Sequence, residues 1–204
     1  MSEVIKIANC SGFYGDNLSI AKKMVEGGPI DVLTGDYLAE LTMTILYNQK
    51  IKRGENLGYV GTFLKQFRDV AKLCNDQKIK IVSNAGGLNP ASMAAEVENI
   101  IKELNLDLKV AYIDGDDLMP RLDELSSSGE KLKNIDKNND LFSYEKKPLT
   151  ANAYLGAWGI KEALDNGADV VICPRVTDAA VVIGPAAWKF NWSRNDYDQL
   201  AGAL

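Results

Sequence analysis

Short apolar runs alternate with amphipathic segments along most of the chain. The runs are rich in Val and Ile and end in small or polar residues, which is typical of strands that are covered on both faces of a sheet. Five such runs predict strands at Val4–Asn9, Ile30–Gly35, Ile79–Ala85, Leu108–Asp114 and Asp169–Pro174.

Apolar residues recur at helical spacing between these runs. The main stripes are Leu18–Ala21–Val25, Leu38–Leu41–Ile45, Phe63–Phe67–Val70–Cys74, Met93–Val97–Ile100 and Leu155–Ile160–Leu164. Asn89-Pro90 predicts the start of one helix, and Asn166-Gly167 predicts the end of another. The alternation predicts an α/β fold: a mainly parallel sheet of about five strands with helices on both faces, in a Rossmann-like three-layer arrangement.

The 204 residues, of which 46% are apolar and 25% charged, are enough to bury the core of one domain, which we predict to span residues 1–204. One segment interrupts the pattern. Residues 126–148 are rich in Lys, Asn and Asp, which indicates a solvated loop. A lid over a binding site, with Phe142 and Tyr144 as its contact residues, is the alternative interpretation.

Composition narrows the classes of function. A net charge of −5 argues against a nucleic-acid partner held on a basic surface, and no apolar run is long enough for a membrane span. The three cysteines are widely spaced and form no disulfide framework, so we expect a cytoplasmic protein. The sequence contains no His, which excludes Ser-His-Asp and Cys-His catalysis and His-ligated zinc within this chain.

Small polar residues follow every predicted strand. In open parallel sheets, ligands bind beyond the carboxyl ends of the strands, so these residues define a candidate binding edge. The candidate ligand-binding residues are Ser11, Gly12, Thr34, Gly35, Ser83, Asn84, Gly86, Gly87, Asp114, Asp116, Arg175 and Thr177.

Two of these turns each allow two interpretations. Ser83–Gly87 precedes a helix start and could hold an anion with its backbone amides, or it could be a tight turn that needs glycine. Asp114, Asp116 and Asp117 could bind Mg²⁺ or a diol, but turn and capping roles explain at least one of them. We therefore assign no metal ligands.

Arg175 is the one cation at a strand exit, and its guanidinium suits a carboxylate or phosphate. An ion pair with a neighbouring Asp is the competing interpretation.

Asp36 and Asp178 are the candidate acid–base residues, because the general base cannot be His. Capping of a following helix would by itself explain both Asp16 and Asp36. Thr177 is also predicted to cap a helix.

Several long stretches resemble the acyclic terpene utilisation AtuA family, in the order in which that family has them. They are GFYGD (12–16), GGPIDVLTGDYLAELTM (27–43), SNAGGLNP (83–90), DGDDL (114–118), TANAYLGAWGIKEALDNGADVVICPRVTDAA (150–180) and DYDQLAGAL (196–204). The resemblance covers nearly the whole chain. One departure is Pro174, where the family typically has Gly; proline removes a backbone N–H there.

The resemblance implies a role in degrading acyclic isoprenoid alcohols through acyl-CoA intermediates, or in branched-chain catabolism. It implies that this chain is the N-terminal part of a longer protein.

We expect an enzyme of the hydration, elimination or C–C lyase type, acting on a carboxylate or a CoA thioester at the carboxyl edge of the sheet. The alternative is a non-catalytic ligand-binding or assembly subunit, so a homo-oligomer or a partner subunit is compatible with the resemblance. No cofactor is implied, and the absence of a GxGxxG motif argues against NAD(P).

Overall fold

A computed structural model of the protein describes residues 4–204. The described chain forms one five-stranded sheet in which every neighbouring pair is parallel. Its strands are β1 (Ile7–Asn9), β2 (Val32–Gly35), β3 (Lys80–Ser83), β4 (Val110–Tyr112) and β5 (Val170–Ile172). The spatial order is β1-β2-β3-β5-β4. Each strand lies inside one of the five apolar runs, which confirms the predicted α/β fold.

Eight α-helices surround the sheet in the part of the chain that the structure describes. They are α1 (Ile20–Glu26), α2 (Glu40–Arg53), α3 (Gly61–Gln77), α4 (Pro90–Glu103), α5 (Leu122–Ser127), α6 (Trp158–Asp165), α7 (Ala180–Lys189) and α8 (Tyr197–Gly202). Two short 3₁₀ helices lie at Met119–Arg121 and Leu141–Ser143. None of the helices formed by residues 4–204 has the length and apolar character needed to cross a membrane.

The strands divide the core into two layers, because successive side chains point to opposite faces of a sheet. Leu33 and Ile81 contribute to the larger layer, which α1, α3 and α4 cover. Val82 and Val171 contribute to the smaller layer under α6 and α7. Helices therefore lie on both faces, as the three-layer prediction requires.

The connections create a switch point between β3 and β5. The chain moves in one direction from β1 to β4, and α1, α3 and α4 in those crossovers all lie on one face. It then returns to place β5 between β3 and β4, with α6 on the opposite face, as right-handed crossovers require. The helices that follow β3 and β5 thus leave on opposite faces, which opens a crevice where ligands bind in such folds.

The predicted boundaries of two helices are confirmed. The Asn89 side chain accepts a hydrogen bond from the Ser92 amide at 3.2 Å, and Pro90 is the first residue of α4. Gly167 has a φ of +86° just after α6, a conformation that glycine adopts without strain.

The predicted stripe on α2 is wrong in phase. Leu38 precedes the helix, and Leu41 is 68% exposed. The buried residues of α2 are Thr42, Met43 and Leu46. Met43 and Leu46 are apolar like Leu41 and Ile45, so this helix has apolar residues on more than one face and the pattern alone does not fix which face is buried.

Residues 126–148 contain the end of α5 and the short 3₁₀ helix Leu141–Ser143, and most of their side chains are exposed. Phe142 and Tyr144 are 42% and 45% exposed. The polar composition thus corresponds to a solvated segment, and its role as a lid stays a prediction. Residues 1–3 of the predicted domain lie outside the described residues.

Candidate functional site

The exits of β2 and β3 meet through a short hydrogen-bonded chain at the switch point. Asp36 follows β2, and its Oδ1 accepts a hydrogen bond from Asn84 Nδ2 at 2.5 Å. Asn84 follows β3, and its Oδ1 accepts from the Tyr37 amide at 2.8 Å. Asn84 is fully buried, so its amide group has one defined orientation and fixes the Asp36 carboxyl.

The pKa of Asp36 is raised above the usual value of an aspartate. Partial burial is the main cause, because it disfavours the charged form, and the nearby Asp178 carboxylate acts in the same direction. The hydrogen bond from Asn84 and the charge of Arg175 oppose this rise. A carboxyl whose pKa is moved toward neutrality exchanges protons more readily at physiological pH, as an acid–base catalyst must.

Arg175 is the central cation of the site, and only 6% of its side chain is exposed. Its guanidinium stacks 4.1 Å from the ring centroid of Tyr154, and its Nη1 donates a hydrogen bond to the Leu38 carbonyl at 2.5 Å. Two carboxylates lie nearby: Glu40 Oε1 is 3.6 Å from Nη2, and Asp178 Oδ1 is 4.0 Å from Nη1. Both ion pairs are longer than a hydrogen bond.

A cleft of about 320 Å³ opens beside this arginine. It is lined by Glu40, Met43, Thr44, Thr150, Asn152, Tyr154 and Arg175. The Tyr154 hydroxyl donates a hydrogen bond to the Glu40 carboxylate, which lowers the pKa of Glu40 below its usual value. The lining combines charged and polar groups with the apolar side chain of Met43, which makes the cleft amphipathic.

Asp116 connects the exit of β4 to this site. It is buried, and its Oδ2 accepts hydrogen bonds from the Arg175 amide at 3.2 Å and from Asn152 Nδ2 at 2.8 Å. Its carbonyl accepts from the Ala153 amide at 2.7 Å. Burial raises the pKa of the Asp116 carboxyl despite these bonds. Asp116 therefore positions the backbone on which Arg175 and Tyr154 are carried.

The residues that follow β1 form a loop with its own side-chain hydrogen bonds. The Asp16 carboxylate accepts hydrogen bonds from the Gly12 amide at 2.8 Å and from Ser11 Oγ at 3.3 Å. Asp16 therefore closes this loop and does not cap α1, which begins at Ile20 and has Ser19 at its N-cap position. The loop reaches the site through its backbone, because the Ser11 carbonyl accepts from the Asp36 amide at 2.8 Å.

The other two predicted caps are also absent. The N-cap position of α2 is Ala39, and the Asp36 carboxyl bonds to Asn84 instead. The N-cap position of α7 is Ala179, and the Thr177 carbonyl, not its side chain, accepts a hydrogen bond from the Ala180 amide. Irregular backbone over residues 36–39 separates Asp36 from α2, and a turn at Asp178 and Ala179 separates Thr177 from α7.

The Ser83–Gly87 turn already uses its amides within the protein. Ser83 Oγ accepts from the Ala85 amide, the Gly86 amide donates to the Cys173 carbonyl, and the Gly87 amide donates to the Asn84 carbonyl. A Cβ on Gly86 would lie 2.6 Å from the Cys173 oxygen. Gly86 is thus explained by the close approach of the β3 and β5 exits, and Gly87 by its φ of +54°.

The remaining candidates do not line the cleft. Thr34 is buried, with its Oγ1 3.3 Å from the Oδ1 of Asn9, and a Cβ on Gly35 would lie 2.7 Å from the Tyr37 ring. Asp114 and Thr177 are exposed, and the Thr177 amide donates to the Leu155 carbonyl. The structure therefore brings Asp36, Asn84, Asp116, Arg175 and Asp178 together and leaves the others at the margin.

Sequence reasoning missed Glu40, Asn152 and Tyr154. All three lie in stretches that resemble the family, and this resemblance was the only feature of the sequence that pointed to them. None of them directly follows a strand, so the strand exits do not point to them. Within residues 4–204, no three Cys, Asp or Glu side chains are grouped so that they could hold a metal ion.

The fold and the site define an α/β protein with a charged, polar cleft at the switch point of a parallel sheet. Residues 5–204 match the model of the acyclic terpene utilisation family protein AtuA, and the chain belongs to this family. Searches of curated proteins and of solved structures found no match.

Proposed function

We propose that this chain is an enzyme, or the catalytic part of one, that acts on a carboxylate or acyl-CoA metabolite in acyclic terpene or branched-chain catabolism. Family membership supports the metabolic context. The observation that carries the proposal is the Asp36 carboxyl, which Asn84 fixes close to the buried Arg175 and whose pKa is raised.

Asp36 is the acid–base group in this proposal. Adding or eliminating water, or cleaving a C–C bond next to a carboxyl, requires a proton transfer at carbon or oxygen, and a positioned carboxyl of raised pKa suits this step. Asp178 is the second candidate; its side chain is 76% exposed, and its Oδ1 lies 4.0 Å from Arg175 Nη1.

Arg175 stabilises negative charge. Both reactions develop charge on the oxygen of a carboxylate or thioester, and a guanidinium already fixed by Leu38 and Tyr154 does so without reorganising. Its position in a nearly buried environment strengthens this interaction, because the effective dielectric constant there is lower than in water.

The test is Asp36→Asn in the full chain, incubated in D₂O with short branched carboxylates and their CoA esters. Mass spectrometry follows deuterium incorporation and new products. We expect the wild-type protein to be active and the variant to lose at least about 100-fold, the usual contribution of a general acid or base. The matched control is Asp169→Asn, because Asp169 also accepts hydrogen bonds but lies at the amino edge of the sheet.

Equal activity of Asp36→Asn and wild type would remove Asp36 from the mechanism. The alternative function is a ligand-binding or assembly subunit, and the composition favours it: the sequence contains no His, the most common general base. Thermal stabilisation of the wild-type protein by a carboxylate or CoA ester, without exchange or product, would establish that alternative.

A further inference from the structure

We propose that Arg175 and Tyr154 form a subsite for the free carboxylate of a small branched or unbranched monocarboxylic acid, and that Glu40 occupies this subsite until the ligand displaces it. This subsite rests on the proposed function, which allows either a carboxylate or a CoA thioester as the substrate. Of these two, a free carboxylate is the ligand that the subsite would bind.

Glu40 shows what the subsite recognises. Its carboxylate accepts a hydrogen bond from the Tyr154 hydroxyl and lies 3.6 Å from Arg175 Nη2. A phenol donor and a guanidinium that converge on one carboxylate are the groups that a free carboxylate ligand requires. Glu40 therefore marks the position of the ligand's carboxylate.

Glu40 is suited to leave. Its side chain is 80% exposed and is carried on the first turn of α2, so it can move into water without disturbing the core. Only the Glu40 end of this ion pair is exposed, but water screens the Glu40 charge and the 3.6 Å contact is longer than a hydrogen bond, so the pair contributes little to stability. Arg175 and Tyr154, by contrast, stay in place, since the guanidinium stacks on the ring and is bonded to the Leu38 carbonyl.

Charge balance favours an anion over a neutral thioester. Glu40 and Asp178 both lie within 4.0 Å of Arg175. A ligand carboxylate that replaces Glu40 restores the same charge at the guanidinium. A neutral thioester that displaced Glu40 would remove one negative charge from Arg175 and return none.

The cleft limits the size of the acid. Its volume of about 320 Å³ is at the lower end for small-molecule sites. Met43 contributes apolar surface at 5% exposure, and Thr44 and Thr150 complete the walls. A short hydrocarbon chain can therefore lie along α2 while its carboxylate reaches Arg175.

Calorimetric titration with sodium 3-methylbutanoate tests the proposal, with 3-methylbutanamide as the neutral analogue of the same shape. We expect the wild-type protein to bind the acid and not the amide. Glu40→Gln should lower the Kd for the acid about two- to fivefold, because an exposed carboxylate no longer competes. Glu103→Gln, which removes a carboxylate from the remote exposed pair with Arg68, should leave the Kd unchanged.

Arg175 is nearly buried, so replacing it could unfold the protein; the hydroxyl of Tyr154 offers a milder change. In the Glu40→Gln background, Tyr154→Phe should raise the Kd roughly tenfold through loss of one charge-assisted hydrogen bond. Equal binding of acid and amide, no binding of the acid to any variant, or no effect of Glu40→Gln would each overturn the inference. Asp36-dependent turnover of CoA esters without acid binding would overturn it while leaving the proposed function intact.

Discussion

Asp36 illustrates how its neighbours determine what a carboxyl group can do. The aspartates of this chain are hard to rank from sequence alone, and Asp36 differs because Asn84 fixes one oxygen and partial burial raises its pKa. A site of this kind costs stability at neutral pH, because the charged form is held in an unfavourable environment.

The raised pKa gives Asp36 a defined effect on stability. The folded state holds the proton more tightly than the unfolded state, so the contribution to stability is full below the unfolded pKa and is lost as the pH rises through the folded pKa. We expect Asp36→Asn to raise the free energy of unfolding at pH 7, by less than about 1 kcal/mol, because Asn keeps the hydrogen bond from Asn84.

Urea unfolding between pH 4 and pH 8 checks this expectation. The advantage of the variant over wild type should be largest at pH 7 to 8 and should shrink as the pH falls through the folded pKa of Asp36. An advantage that grows on acidification would mean that the pKa of Asp36 is lowered in the folded protein, contrary to the effect of burial.

At the scale of elements, the turn from β3 to α4 and the exit of β5 must approach closely. The Gly86 amide donates to the Cys173 carbonyl, and the Cys173 amide donates to the Ser83 carbonyl. These two hydrogen bonds bring the residues before Arg175 next to the Asn84 turn. The glycine is thus needed for the geometry of the switch point.

Gly86→Ala should destabilise the protein by about 1 to 3 kcal/mol, because the new Cβ would lie 2.6 Å from the Cys173 oxygen and the neighbouring backbone would have to move. Urea unfolding measures this loss. Gly61→Ala is the matched control: a Cβ on Gly61 would have no other atom within 4 Å, and Gly61 is the first residue of α3. Alanine there should be neutral or stabilising.

A loss as small for Gly86→Ala as for Gly61→Ala would show that the β5 exit can shift to accept a methyl group. The close packing of the two turns would then not be what requires glycine at this position.

At the scale of the whole molecule, Asp116 joins parts of the chain that are distant in sequence. It follows β4, yet its carboxylate bonds to the Arg175 amide after β5 and to Asn152 before α6. Leu155 and Val176 then form an isolated parallel bridge beside this contact. The site therefore depends on the arrangement of the whole carboxyl edge.

Asp116→Ala should cost about 1 to 3 kcal/mol, because it leaves the buried amide of Arg175 without an acceptor. Hydrogen exchange should also speed up at the amides of Leu155 and Thr177, which bond across the same junction. Asp117→Ala is the control, since that exposed carboxylate accepts only from the nearby Met119 amide. Unchanged exchange in Asp116→Ala would show that the junction does not depend on this carboxylate.

The sequence by itself determined the five strands, most helix positions, and the residues that follow each strand. These features depend on the periodicity of apolar side chains and on the turn-forming residues within a short segment, so they can be predicted from the order of the residues alone. It also determined the absence of His and the resemblance to the family that residues 5–204 match.

Only the tertiary structure decided the order of the strands and the partners of the site residues. Arg175 bonds to a carbonyl 137 positions away, and Tyr154 to a carboxylate 114 positions away. Such contacts arise when the sheet places distant segments side by side, and no local pattern specifies them. Asp36 and Arg175 follow strands, so the sequence identified them as candidates. Glu40 and Tyr154 do not directly follow a strand, and only the fold showed that they belong to the site.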